Sequence, residues 1–101
     1  MIIHRVMWKL DESYSKDEKD KICNELRHKL ESLIDKVDEL LSLHVHINHT
    51  DTSEQNCDTI LETTFNSLEY LSTYQDYPDH LEVVQYFKSL NLQRSAIDHT
   101  F

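Results

Sequence analysis

Glycine is absent from all 101 residues, and proline occurs once, at Pro78. Without glycine, tight two-residue hairpins of the Asn-Gly type are excluded, so the turns fall to Asn, Asp and Ser and the loops should exceed minimal length. Cysteine is scarce. Cys23 and Cys57 lie far apart and form no C-x-x-C pair, which argues for reduced thiols and against a zinc knuckle or redox pair. No apolar run approaches the roughly 18 residues of a membrane-crossing helix. The start Met1-Ile2-Ile3-His4-Arg5 lacks the basic-then-apolar order of a signal peptide, so a cytoplasmic protein is expected. Positive charge is also short: ten Lys and Arg against nineteen Asp and Glu leave a net charge of -9. That balance argues against nucleic acid and anionic membrane surfaces as partners, because both are held through Lys and Arg neutralising phosphate.

What is present fits one compact domain over residues 1–101, a length that buries roughly two thirds of its unfolded surface. Nearly half of the acid lies between Asp11 and Asp20 and between Glu31 and Glu39, alternating with lysine as on a solvated helix face.

Ile2 to Lys9 alternates as a strand, with Ile2, His4, Val6 and Trp8 on one face and Ile3, Arg5, Met7 and Lys9 on the other. Ser15-Lys16-Asp17-Glu18 is a capping box. Behind it Ile22, Leu26, Leu30, Leu33 and Val37 recur at helical spacing, predicting a helix to about Asp38. Leu43 to Asn48 reads as a strand, His49 to Asn56 as a loop and Thr59 to Phe65 as a third strand. Asn66 or Ser67 caps a short helix through Tyr74, with Asn66 and Glu69 at capping-box spacing. Pro78 begins a further helical run to about Leu90, and Arg94 to Thr100 closes the chain as a strand.

This order predicts an α+β, ferredoxin-like βαββαβ fold, a four-stranded antiparallel sheet with its helices on one face. The other face, carrying Ile3 and Met7 beside Arg5 and Lys9, would be left uncovered. A two-fold homodimer whose sheets close into one barrel is the expected solution.

Four stretches carry a resemblance: Ile2 to Leu10 (I-x-H-x-V-x-x-K-L), Ser42 to Asn48 (S-L-x-V-x-x-N), Phe65 to Tyr74 (F-x-S-L-E-x-L-x-x-Y) and Pro78 to Val84 (P-x-H-L-E-V-V). Together they resemble the stress-responsive alpha/beta-barrel family, the small dimeric barrels called Dabb domains. Enzymes of that family, plant polyketide cyclases among them, are similar in carrying a histidine on the first strand, a tyrosine before an x-P-x-H turn and a histidine within it. By position these are His4, Tyr74 and His80, with Asp98 matching an acidic residue on the last strand. The resemblance implies a pocket lined by Trp8, Ile22, Leu26, Leu81, Val84 and Asp98. Cyclising plant members place aromatic side chains where this chain has Ile22, Cys23 and Leu26, which implies a narrower or differently shaped cavity.

An imidazole can take a proton from an acidified carbon, and a phenol can hold the developing enolate oxygen. His80 is thus a candidate general base for an aldol-type closure or isomerisation. Equally, the two histidines can bond each other or a backbone carbonyl while Tyr74 seals the core edge. No cofactor is implied. His44 and His46 share a strand face and are weak candidates for a metal, with His99 or an acidic side chain completing the set. The alternative is a polar strand face at the dimer seam. The family often has glycine where this chain has His46. Of the two neighbouring aromatics Tyr86 and Phe87, Phe87 better continues the stripe of Val83 and Leu90. Three classes remain: a dimer that binds a small apolar or aromatic molecule, a carbon-acid enzyme using His80, and a metal-responsive protein using His44 and His46.

Overall fold

β1 (Ile2–Leu10), β2 (Ser42–Ile47), β3 (Thr59–Phe65) and β4 (Leu92–Thr100) form one antiparallel sheet in the order β2-β3-β1-β4 in a computed structural model describing residues 1–101. Successive side chains of a strand point to opposite faces. His4, Val6, Trp8 and Leu10 therefore share a face with Leu61, Thr63 and Phe65, and all seven are buried. The register sets His4 opposite Asp98 and Trp8 opposite Arg94 across β1 and β4.

α1 (Lys16–Glu31) opens on the expected box: Glu18 N–H donates to Ser15 Oγ (3.1 Å), and Ser15 N–H donates to Glu18 Oε1 (2.9 Å). The helix stops at Glu31, short of the expected Asp38, and tightens into a 3-10 turn over Ser32–Asp35. Ser32 Oγ donates to the Lys29 carbonyl (2.6 Å), and the N–H groups of Lys36 and Val37 converge on the Leu33 carbonyl. Leu33 and Val37 stay buried because apolar spacing of three or four residues suits either helical form. The inward stripe starts at Cys23, not Ile22, which is half-buried.

α2 (Leu68–Asp76) is capped by Ser67, whose Oγ accepts from Tyr70 N–H (3.2 Å), so Asn66 is not the cap. α3 (Pro78–Lys88) follows after a single residue, Tyr77, held extended at φ -65° and ψ 134°. A proline disfavours helical geometry in the residue before it, which is why one continuous helix cannot form here.

Leu30 of α1, Leu33 and Val37 just beyond it, Leu71 and Tyr74 of α2, and Val83 of α3 pack with Val6, Trp8, Val45, Leu61 and Phe65. All helices therefore cover one face of the sheet. On the other face Met7 and Ile60 are half-buried and Ile97 is 55% exposed, while Ile3, expected to be open, is largely covered by its neighbours. Arg5 there donates from Nε to Glu62 Oε2 (2.7 Å) and from Nη1 to His99 Nε2 (2.5 Å).

No residue has positive φ, and the β2–β3 connection takes residues 48–58 to turn through Asn, Asp and Ser. No helix is long and apolar enough to cross a membrane. Phe65 is fully buried at the centre of this packing. Phe65→Ala should cost about 3–5 kcal/mol in urea unfolding, and a loss under 1 kcal/mol, at the scale of a surface change, would contradict the packing.

Candidate functional site

Between the helix-covered face of the sheet and α3 lies a cavity of about 300 Å³. Its floor is His4, Val6, Trp8 and Leu61; its walls are Leu30, Val83, Val84, Phe87 and Leu92; and Gln75, His80, Lys88 and Arg94 supply polar groups. Trp8 and Phe87 stack at 4.4 Å between ring centroids and 15° between planes, so one wall is a rigid aromatic pair.

His4 is 4% exposed, and its Nδ1 donates to Asp98 Oδ1. The strand register makes this contact, and it directs Nε2 away from the carboxylate. His80 is oriented from the helix side. Its Nδ1 lies 3.0 Å from the Gln75 carbonyl, which can only accept, so Nδ1 carries the hydrogen and Nε2 of the neutral ring keeps its lone pair. That carbonyl is free because α2 ends at Asp76, leaving its last carbonyls without helical donors. Burial pushes the His80 pKa below its ordinary value of 6.5; the Gln75 hydrogen bond and the charge of Asp76 oppose this, and the charge of Arg94 adds to it. His80 is a neutral acceptor at neutral pH.

Tyr74 does not line the cavity. It is fully buried, its ring 4.4 Å from that of His80 and 5.2 Å from that of Phe65, and its hydroxyl has no hydrogen-bond partner. Burial pushes its pKa well up. Tyr74 thus backs His80 from the core.

Of the expected lining residues, Trp8 and Val84 do line the cavity. Asp98 reaches it only through His4. Ile22 sits half-buried on α1, Leu26 is buried away from the cavity, and Leu81 is 47% exposed on the outside of α3. Helical phase explains Leu81: Val83, Val84 and Phe87 occupy the inward arc of α3, and Leu81 falls outside it. Gln75, Phe87, Lys88 and Arg94 were not anticipated. Parity on the last strand would have placed Arg94 on the same face as Asp98, four residues on.

His44 and His46 project from the uncovered face with ring centroids 6.4 Å apart, and no set of three His, Cys, Asp or Glu side chains gathers there. His99 lies on β4, three strand spacings from β2 or roughly 14 Å, and meets Arg5 instead. Glu62 comes to 3.9 Å from His46 but is held by Arg5. A second concavity, of about 520 Å³, separates the start of α1 from the β2–β3 loop and is largely polar. Cys23 at its edge is a protonated thiol, its pKa pushed up to about 11 by burial and by the negative charges of Asp58 and Asp20.

Residues 2–101 match the family described as the stress responsive A/B barrel domain, Dabb, and the chain belongs to that family. No sequence match is found among curated proteins. Among solved structures, a dimeric protein of unknown function and ferredoxin-like fold from Bacteroides fragilis is 21% identical, with a TM-score of 0.89 over 99% of this chain and 95% of that one. A dimeric ferredoxin-like protein of unknown function from Thermobifida fusca is 17% identical, with a TM-score of 0.81 over 99% and 90%. A hydroxynitrile lyase from Passiflora edulis is 16% identical, with a TM-score of 0.76 over 99% and 95%. At these identities the likeness shows the fold.

The depressed pKa of His80 fixes the sign of a pH effect. The unfolded chain binds the proton more readily than the folded one, so this contribution to stability is intact above pH 6.5 and is lost as pH falls through the lower folded-state value. The melting temperature of the wild type should therefore fall more than that of His80→Gln between neutral pH and about pH 5. Parallel profiles would show that His80 is not held neutral.

Proposed function

We propose that the protein is a two-fold dimer whose subunits each bind one small apolar or aromatic molecule in the cavity between sheet and helices. The observation that carries this is the cavity itself: about 300 Å³ walled by Trp8, Phe87, Val84 and Leu92. A pocket of this kind, mostly apolar with a few converging polar groups, is the usual form of a small-molecule site. Trp8 is the sole tryptophan and forms part of the wall, so its fluorescence reports occupancy. Titration with a naphthalene-sized probe should give saturable quenching, and Val84→Phe, which fills the cavity without adding a second tryptophan, should abolish it. Quenching that survives the filling would place the probe elsewhere.

A second reading makes the site catalytic, with His80 as general base toward an acidic carbon and His4, steadied by Asp98, facing the oxygen of the developing enolate. What favours it is the His80 ring, whose Nδ1 donates to Gln75 and whose basic nitrogen stays free at neutral pH. In this reading Tyr74 supports the His80 ring. His80→Ala should abolish solvent deuterium uptake at the activated carbon of phenylacetone, and because it leaves the Gln75 carbonyl short of its donor it should also cost on the order of 1–3 kcal/mol. A wild type with no exchange activity to lose would leave the ring a structural group alone.

For the dimer, support comes from the uncovered sheet face with Met7, Ile60 and Ile97, and from relatives described as dimeric. Sedimentation at micromolar concentration should give twice the chain mass of 12.1 kDa. Met7→Asp should yield monomer or aggregate, because it sets an unpaired charge at the seam. A wild-type protein sedimenting as one chain would remove the barrel.

A further inference from the structure

The mouth of the cavity is basic in a chain that is strongly acidic. The helix-side face of β4 presents Leu92, Arg94 and Asp98, and two basic residues, Arg94 and Lys88 at the end of α3, reach the cavity. The ion pairs of the chain engage Arg5, Arg27 and three histidines, and Arg94 has neither an acidic partner nor a hydrogen bond within the chain. Asp98, the acid on the same strand face, is held by His4 and stands four residues away, roughly 13 Å along the strand. Glu62 lies on the opposite face of the sheet, committed to Arg5. Arg94 is close enough to His80 for its charge to bear on that ring. With a net charge of -9, most of the surface repels anions, so a pair of cations at an apolar opening is a local exception.

We propose that the molecule bound in this cavity is a small carboxylic acid, its aromatic or aliphatic body against Trp8, Val84 and Phe87 and its carboxylate gripped by Arg94 with Lys88 alongside. The inference rests on the cavity being a ligand site. A planar guanidinium offers two parallel N–H donors that match a carboxylate, which is why arginine suits this task. A cavity of about 300 Å³ accommodates one ring or a short chain with such a head group.

The test uses a matched pair of probes, 3-phenylpropionate and 3-phenylpropanamide, which share a body and differ in charge. Affinities are read from Trp8 fluorescence and from chemical shifts of the Val84 methyl groups. For the wild type the acid should bind on the order of tenfold more tightly than the amide at low salt, and the gap should narrow as salt rises. Arg94→Gln should erase the preference by weakening the acid far more than the amide, with the melting temperature unchanged, since Arg94 has no partner within the chain to lose. Lys88→Gln should reduce the preference by a smaller factor. Equal binding of acid and amide by the wild type, or a preference that survives Arg94→Gln, would overturn the anionic head group and leave the cavity as a ligand site. Failure of both probes to perturb Trp8 and Val84 up to millimolar concentration would overturn the ligand site and this inference with it.

Discussion

Everything in this fold is referred to β1, an interior strand paired along its length with β3 on one edge and β4 on the other. Its alternation sends His4, Val6, Trp8 and Leu10 into the core, and a slip of one residue would exchange them for Arg5, Met7 and Lys9. Burying a lysine and an arginine is far costlier than burying Val6 and Trp8 is favourable, so the register is held tightly. The same register brings Asp98 to His4 and Arg94 to Trp8 from an edge strand most of whose residues are exposed. The strand that organises the core thus also assembles the polar side of the cavity.

The helix side depends on a different constraint, the single proline. Pro78 holds Tyr77 extended, ends α2 at Asp76 and starts α3 as a separate helix. Two consequences meet at one residue. The Gln75 carbonyl is left without a helical donor, and His80, in the first turn of the new helix, supplies one. The tautomer of His80 is therefore a by-product of where one helix must stop.

These arrangements carry energetic penalties. The Tyr74 hydroxyl is buried without a partner, and an unsatisfied group of that kind costs about 1–3 kcal/mol. His4 is buried as well, though its contact with Asp98 offsets the loss of water. The Tyr74 ring, wedged between Phe65 and His80, compensates through packing. On the uncovered sheet face the contacts of Arg5 with Glu62 and His99 lie among the apolar Met7, Ile60 and Ile97.

By itself the sequence determined the α+β topology, the four strands, the capping box at Ser15, the break at Pro78 and the family, because each rests on local chemistry or periodicity within a few residues. It also singled out His4 and His80, whose positions on β1 and α3 follow from those periods. Only the tertiary structure decided which groups share a space. Arg94 meets Trp8 across 86 positions of chain through a pairing register, and Tyr74 lies in the core against Phe65, behind the His80 ring, instead of in the cavity. Leu26 shows the same limit: periodicity says that its side chain lies on an apolar arc, and packing alone says what that arc faces.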